Sequence, residues 1–274
     1  MLEIPESKTI SLQAGNILTG KRIIEVMNAT SPHKFAFYCG DPSRYAELLT
    51  GRRIMSTKGH GMFVDICCDE DVIITISEGA HMRYYPPPEP RPEKHQLLVG
   101  FEDDSCVSFT VAMYGGIWAR KGIFDNPYYQ RSLDSISPLD EAFDESFFDN
   151  IFKSTAKDMS LKALLATEQR IPGIGNGVLQ DILFNARIHP KRKKSTLSDG
   201  QKTGLFDSLK ATLKSMTDRG GRDTEKDFFG QTGGYKTLLS KNTWNTPCPN
   251  CGHTIIKEAY LGGAVYFCPT CQVL

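Results

Sequence analysis

The sequence predicts a multidomain α+β chain: a β-rich N-terminal part, a helical C-terminal part and a short cysteine-stapled hairpin at the end. Three observations carry this. Between Lys21 and about Trp118, short runs rich in Val, Ile and Phe alternate with Gly, Pro and Asp. From Asp140 to Thr217 the apolar residues recur at helical spacing. Beyond them two Cys-x-x-Cys knuckles, Cys248-Pro-Asn-Cys251 and Cys268-Pro-Thr-Cys271, stand sixteen residues apart.

Residues 2–18 carry Leu2, Ile4, Ile10, Leu12, Ile17 and Leu18, with Pro5 in the first turn of an expected helix that Gly20 ends. Strands are expected at Arg22–Ala29, Phe35–Cys39, Gly61–Cys68, Val72–Ile76, His81–Tyr85, Gln96–Phe101 and Val107–Met113, interrupted by one helix, Ser43–Leu49. Strands this short and this closely spaced suit a sandwich or a barrel. Arg120–Pro138, with two prolines and little periodicity, reads as a linker. Helices follow at Asp140–Phe152, Ser160–Leu165, Gly177–Ala186 and Ser198–Thr217, with Ser160 and Ser198 as N-caps. The glycine-rich stretch Gly220–Ser240 leads to the tail. The expected division is therefore 1–119, 120–138, 139–240 and 241–274.

In each knuckle two thiolates lie close enough to share one ion. Cys248, Cys251, Cys268 and Cys271 around tetrahedral zinc make a closed, structural site. Two disulfides are the alternative, disfavoured because no secretory signal is evident and the spacing fits a zinc ribbon. His253–Lys257 and Ala264–Phe267 read as strands joined by the tip Glu258–Gly263. Cys39, Cys67, Cys68 and Cys106 show no ligand spacing and read as idle thiols.

The net charge of zero hides an asymmetry. Residues 1–150 carry 14 Lys and Arg against 22 Asp and Glu, a balance of −8; residues 151–274 carry 18 against 10, a balance of +8. A basic half joined to a zinc hairpin points to a polyanion, most simply nucleic acid. No apolar run approaches a membrane span, so the expected setting is the cytoplasm, with nucleoid association in a bacterium, and the expected state is a monomer.

The turn Ile171-Pro-Gly-Ile-Gly-Asn176 lies between two helical patterns. Gly173 and Gly175 permit positive φ and close approach, and amides opening the next helix would point at an anion. The Asn176 side chain adds a donor. The basic run Lys191-Arg-Lys-Lys194 follows that helix, and together these form a candidate phosphate grip.

With these motifs in place, the chain resembles the formamidopyrimidine-DNA glycosylase and endonuclease VIII family. Met-Leu-Glu-Ile-Pro-Glu6 is similar to the family's opening Met-Pro-Glu-Leu-Pro-Glu. Pro172–Gly177 followed by Ile188-His-Pro190 resembles its helix–two-turns–helix. Gly220-Gly221, Asp227-Phe228 and Gly234-Tyr235 fall in its glycine-rich run, and the four cysteines match its zinc hairpin. The resemblance implies an N-terminal β-sandwich flanked by helices, a C-terminal helical domain, and duplex DNA, damaged or abasic, in the cleft between them. It also implies base flipping and attack on C1′ of the sugar.

The departures bear on chemistry. The family's nucleophile is an N-terminal proline amine; here position 2 is Leu2, which keeps Met1 in place and makes the Met1 α-amine the candidate. Glu3 matches the family's acid/base residue. The family's phosphate-binding lysine falls on His60, with Lys58 on the same side of the strand as a substitute. Its methionine wedge falls on Ala80. Met113 or Tyr114 lies where a second wedge stands, though core packing is the reading preferred for both. The hairpin-tip arginine falls on Gly263. The expected DNA contacts are Lys58, His60, Asn176, Lys191 and Arg192, and the expected activity is that of a DNA glycosylase with abasic-site lyase action, altered or weakened. The alternative is a non-catalytic relative that binds damaged DNA.

Overall fold

The computed structural model describes residues 1–274. Helix α1 (Ile4–Leu18) opens the chain, with Pro5 in its first turn and Gly20 beyond its end at φ +91°. Nine strands follow: β1 (Ile23–Asn28), β2 (Ala36–Phe37), β3 (Ile54–His60), β4 (Phe63–Cys68), β5 (Val72–Ile76), β6 (Ala80–Tyr85), β7 (Leu97–Phe101), β8 (Cys106–Val111) and β9 (Gly115–Lys121). They form two sheets, ordered β1-β7-β8-β6 and β2-β9-β5-β4-β3. Ile74, Ile76 and Ile117 of one sheet and Val99, Val107 and Phe109 of the other share one apolar core. The sandwich, rather than a closed barrel, is the outcome. Helix α2 (Tyr45–Leu49) lies between β2 and β3.

Two strands escape the periodicity. In β3 the exposed Met55, Ser56 and Lys58 flank buried Ile54 and Gly59, as suits an edge strand with a helix packed on it. A Cβ at Gly59 would stand 2.2 Å from the Ser7 carbonyl oxygen, so glycine sets how closely α1 meets β3. In β9 the double glycine Gly115-Gly116 hides the strand's start, and its end runs into the segment read as a linker. That segment also holds α3 (Pro127–Asp134), whose Asn126 cap accepts from the Tyr128 and Tyr129 amides at 3.0 Å each. Eight residues are too few for a helical period to stand out.

The C-terminal helices are α4 (Glu145–Lys153), α5 (Leu161–Ala166), α6 (Asn176–Asn185) and α7 (Asp199–Asp218). Helix α4 begins later than expected, after the Asp144 cap, while Phe143 packs into the core from the preceding turn. Ser160 and Ser198 cap α5 and α7. Leu161, Leu164, Val178, Ile182, Leu205 and Leu209 build a second core, which Ile4 of α1 joins; Ile10, Ala14 and Leu18 face the sandwich. Helix α1 thus belongs to both halves. The tail is a hairpin of β10 (Ile256–Tyr260) and β11 (Gly263–Phe267). Its tip shrinks to Leu261-Gly262, at φ +49° and +74°, because pairing extends through Ala259 and Tyr260. No helix is long and apolar enough to cross a membrane.

Candidate active site and nucleic-acid interface

The first amides of α6 do point at an anion, and the anion is the protein's own. Glu3 is 1% exposed; its Oε1 accepts from Gly177 N at 2.9 Å and its Oε2 from Val178 N at 2.8 Å. The glycines make room for this. A Cβ at Gly175 would lie 2.7 Å from Glu3 Oε1, and one at Gly177 1.6 Å from Arg222 Nη1. Only Gly173 takes positive φ, at +85°; Gly175 is extended. Arg222 closes the cluster, with Nη1 3.5 Å from Glu3 Oε1, Nη2 2.7 Å from Glu6 Oε2 and Nε 3.0 Å from Glu6 Oε1. Burial would push Arg222 toward neutrality, but the Glu3 and Glu6 carboxylates outweigh it and hold the guanidinium charged. Glu3 thereby joins the N-terminus to the helical domain, and it lines the same cavity as Met1.

Residue 1 is clamped at both ends. Arg222 Nη2 donates to the Met1 carbonyl at 3.1 Å, and the Met1 ammonium pairs with Glu225. Leu2 is buried in the sandwich core. The amine stands on a cavity of about 180 Å³ whose walls include Glu3, Asn176, Glu225, Lys241 and Tyr266. Glu78 and His81, from the sandwich, lie within reach of its charge. Burial, then Glu3, pushes the Glu78 carboxyl up. Burial, then Arg83, brings His81 down to about 4, so its imidazole is neutral at pH 7.

The expected phosphate contacts fare unevenly. Asn176 Nδ2 donates to the Ala264 carbonyl at 2.7 Å, beside Gln180 Nε2 at 3.1 Å, and Gln180 Oε1 accepts from Tyr266 N at 3.1 Å. The Asn176 amide thus holds the hairpin against α6. Lys191 pairs with Glu258 of the hairpin, and Arg192 donates to the Thr196 carbonyl and Gln201 Oε1, both at 3.0 Å. Both basic side chains have partners within the fold while staying partly exposed. Lys58 is exposed on β3. His60 is buried at 7%, with Nδ1 2.5 Å from Ser132 Oγ and Nε2 3.1 Å from Asp65 Oδ2. Burial pushes Asp65 up, but donors from His60, Thr75 and Tyr129 outweigh it and hold the carboxyl low. His60 thereby ties α3 to the sandwich, buried and with both ring nitrogens partnered rather than open on the strand as its reading as a phosphate contact expects.

At the wedge positions, Ala80 is buried, whereas Met113 and Tyr114 are 67% and 43% exposed on the turn between β8 and β9. The core reading preferred for these two is overturned. At the hairpin, a Cβ on Gly263 would meet Lys162 Nζ at 3.5 Å and Asn176 Nδ2 at 3.8 Å. Lys162 itself is buried, donates to the Tyr260 carbonyl at 2.6 Å and is pushed down by desolvation.

Cys248, Cys251, Cys268 and Cys271 converge, their sulfurs all within 4.8 Å of one another. The Cys248–Cys271 and Cys251–Cys268 separations are 3.9 and 3.4 Å. Sulfurs tetrahedral about zinc at about 2.3 Å would stand roughly 3.8 Å apart, so the set fits the ion. Hydrogen bonding with Cys251, followed by burial, pushes the Cys271 thiol up to about 12, a crowding that a divalent cation relieves. The remaining cysteines are unpaired.

Arg222, Glu225 and Lys162 take part in this site without a sequence signal of their own. The glycine-rich run marks where Arg222 and Glu225 lie, but only folding brings residues more than two hundred positions apart against Met1.

The family model described as "Formamidopyrimidine-DNA glycosylase H2TH domain" matches residues 135–227. The formamidopyrimidine-DNA glycosylase of Cytobacillus firmus is 26% identical over 281 residues, covering all of both chains. That of Thermus thermophilus is 26% identical over 280 residues, covering 99% of this chain and 98% of its own. The crystal structure of the MutM (Fpg) protein from Thermus thermophilus superposes with a TM-score of 0.79 at 24% identity, covering 98% of each chain. A Lactococcus lactis Fpg complex with abasic-site DNA gives 0.84 at 24% identity, covering 99% of this chain and all of that one. The helical segment thus matches the formamidopyrimidine-DNA glycosylase H2TH model, and from end to end the chain is similar to formamidopyrimidine-DNA glycosylases and shares their fold.

Proposed function

We propose that this protein is a DNA glycosylase of base-excision repair that also cleaves at abasic sites, with the Met1 α-amine as its Schiff-base nucleophile and zinc as a structural ion. The observation that carries the proposal is the position of that amine, on a cavity walled by the α6 turn, the 222–225 turn and the hairpin. Lactococcus lactis relatives are solved with abasic-site and Fapy-dG DNA, and duplex DNA carrying a damaged or abasic nucleotide is the substrate class carried over here. Exposed Lys58 and the exposed pair Met113 and Tyr114 are the candidates to meet the backbone and to fill the gap left by a flipped base. Such a protein works in the cytoplasm, at the nucleoid in a bacterium.

Borohydride reduction in the presence of abasic-site duplex tests this. A covalent adduct whose linked peptide begins at Met1 is the expected result. A second reading, a non-catalytic binder of damaged DNA, draws on the burial of Glu3 and on Gly263 at the hairpin. Tight binding without adduct or strand cleavage across several lesions would establish that reading instead.

A further inference from the structure

We infer that Glu225 is a proton-transfer residue for the Met1 amine; this rests on the proposed Schiff-base chemistry. The Glu225 carboxylate touches the ammonium and its side chain keeps 21% of its surface exposed, so it is both in contact and open to the cavity. Its backbone is fixed: Glu225 N donates to the Arg222 carbonyl at 3.1 Å, and its own carbonyl accepts from Gly233 N at 3.2 Å. Arg222, on the same turn, holds the Met1 carbonyl, so the amine and the carboxylate are oriented by one rigid piece.

The other charged groups around the pair are engaged elsewhere or are cations, Lys241 on the same cavity among the latter. Glu3 has both oxygens engaged by the α6 amides, and Arg222 is a cation held by Glu6 and the Met1 carbonyl. His81 is neutral and a weak base. Glu78 is held by burial and by Tyr114, whose hydroxyl donates to it at 3.4 Å. Arg83 and Lys226 are cations and accept no proton.

On an abasic site the step balances as follows. The ammonium gives a proton to Glu225, and the freed lone pair of the amine attacks the C1′ aldehyde, forming the N–C1′ bond. A proton moves from nitrogen to the former carbonyl oxygen to give the carbinolamine. Glu225 returns its proton to that hydroxyl, the C1′–O bond breaks, water leaves, and the iminium remains. No oxidant or reductant is consumed.

The test compares wild type, Glu225→Gln and Glu225→Ala in borohydride trapping on abasic-site duplex between about pH 6 and 9, a range that brackets the ordinary titration of an α-amine. Duplex affinity and thermal melting serve as controls. General acid–base catalysis sets the expected loss at about 100-fold at neutral pH for both variants, with affinity unchanged and the rate recovering as pH rises. A carboxylate that merely latched the amine would, when removed, leave trapping equal or faster at neutral pH, and that result overturns the inference while sparing the proposed function. Absence of an adduct from wild type itself overturns both.

Discussion

Among the single residues, Glu3 shows how one side chain of a motif can also tie two parts of the fold together. An acidic residue at the start of a helix is favoured by the dipole whatever its function. Here the same carboxylate also ends at the start of a second helix, α6, with Arg222 as counterion. Removing one partner of a buried ion pair leaves the other charge uncompensated, at a cost of about 3–5 kcal/mol. Glu3→Gln keeps an acceptor oxygen and leaves Glu6 on Arg222, so a loss near the lower end, about 3 kcal/mol, is expected in urea unfolding. A change below about 0.5 kcal/mol would show that the cluster carries no stability.

One level up, the hairpin is docked on α6 by a small set of amide contacts. Gln180 is the double one, with Nε2 on the Ala264 carbonyl and Oε1 on the Tyr266 amide. Gln180→Ala leaves Tyr266 N and part of the Ala264 carbonyl without partners, a cost of about 1–3 kcal/mol localised to the hairpin. Faster amide exchange at β11, with α7 unchanged, is the expected outcome. The same logic gives the basic cluster a structural part. Lys191 lies opposite Glu258, and Lys194 donates to the Phe152 and Thr155 carbonyls, so charges that look available in sequence brace neighbouring elements.

The molecule as a whole holds three apolar clusters: the sandwich, the helical domain, and a small one of Phe184, Leu239, Ile255 and Tyr266 with Cys248 and Cys268. The first two are stitched together by α1, and the third depends on the cysteines. Chelation of zinc should therefore abolish binding to abasic duplex while far-UV circular dichroism of the helical domain and the melting of the sandwich persist. One equivalent of zinc per chain, by elemental analysis, is the accompanying expectation. Affinity unchanged after chelation would count against any part for the hairpin in docking DNA.

The strongly periodic elements, the caps Ser160 and Ser198, the four-cysteine cluster and the order of the parts were all legible in the chain. These depend on residues near one another in sequence, where spacing and residue type act directly. Edge strand β3 and helix α3 were not legible, because one is polar on its open side and the other is too short to show a period. The assignments that needed the folded molecule were those of charge. Which anion sits on the α6 amides, which carboxylate faces the Met1 amine and which lysines remain free are settled by partners far away in sequence. Sequence specifies that a charge exists; its availability is decided by what folding places beside it, since burial and pairing change what an ionised group can do.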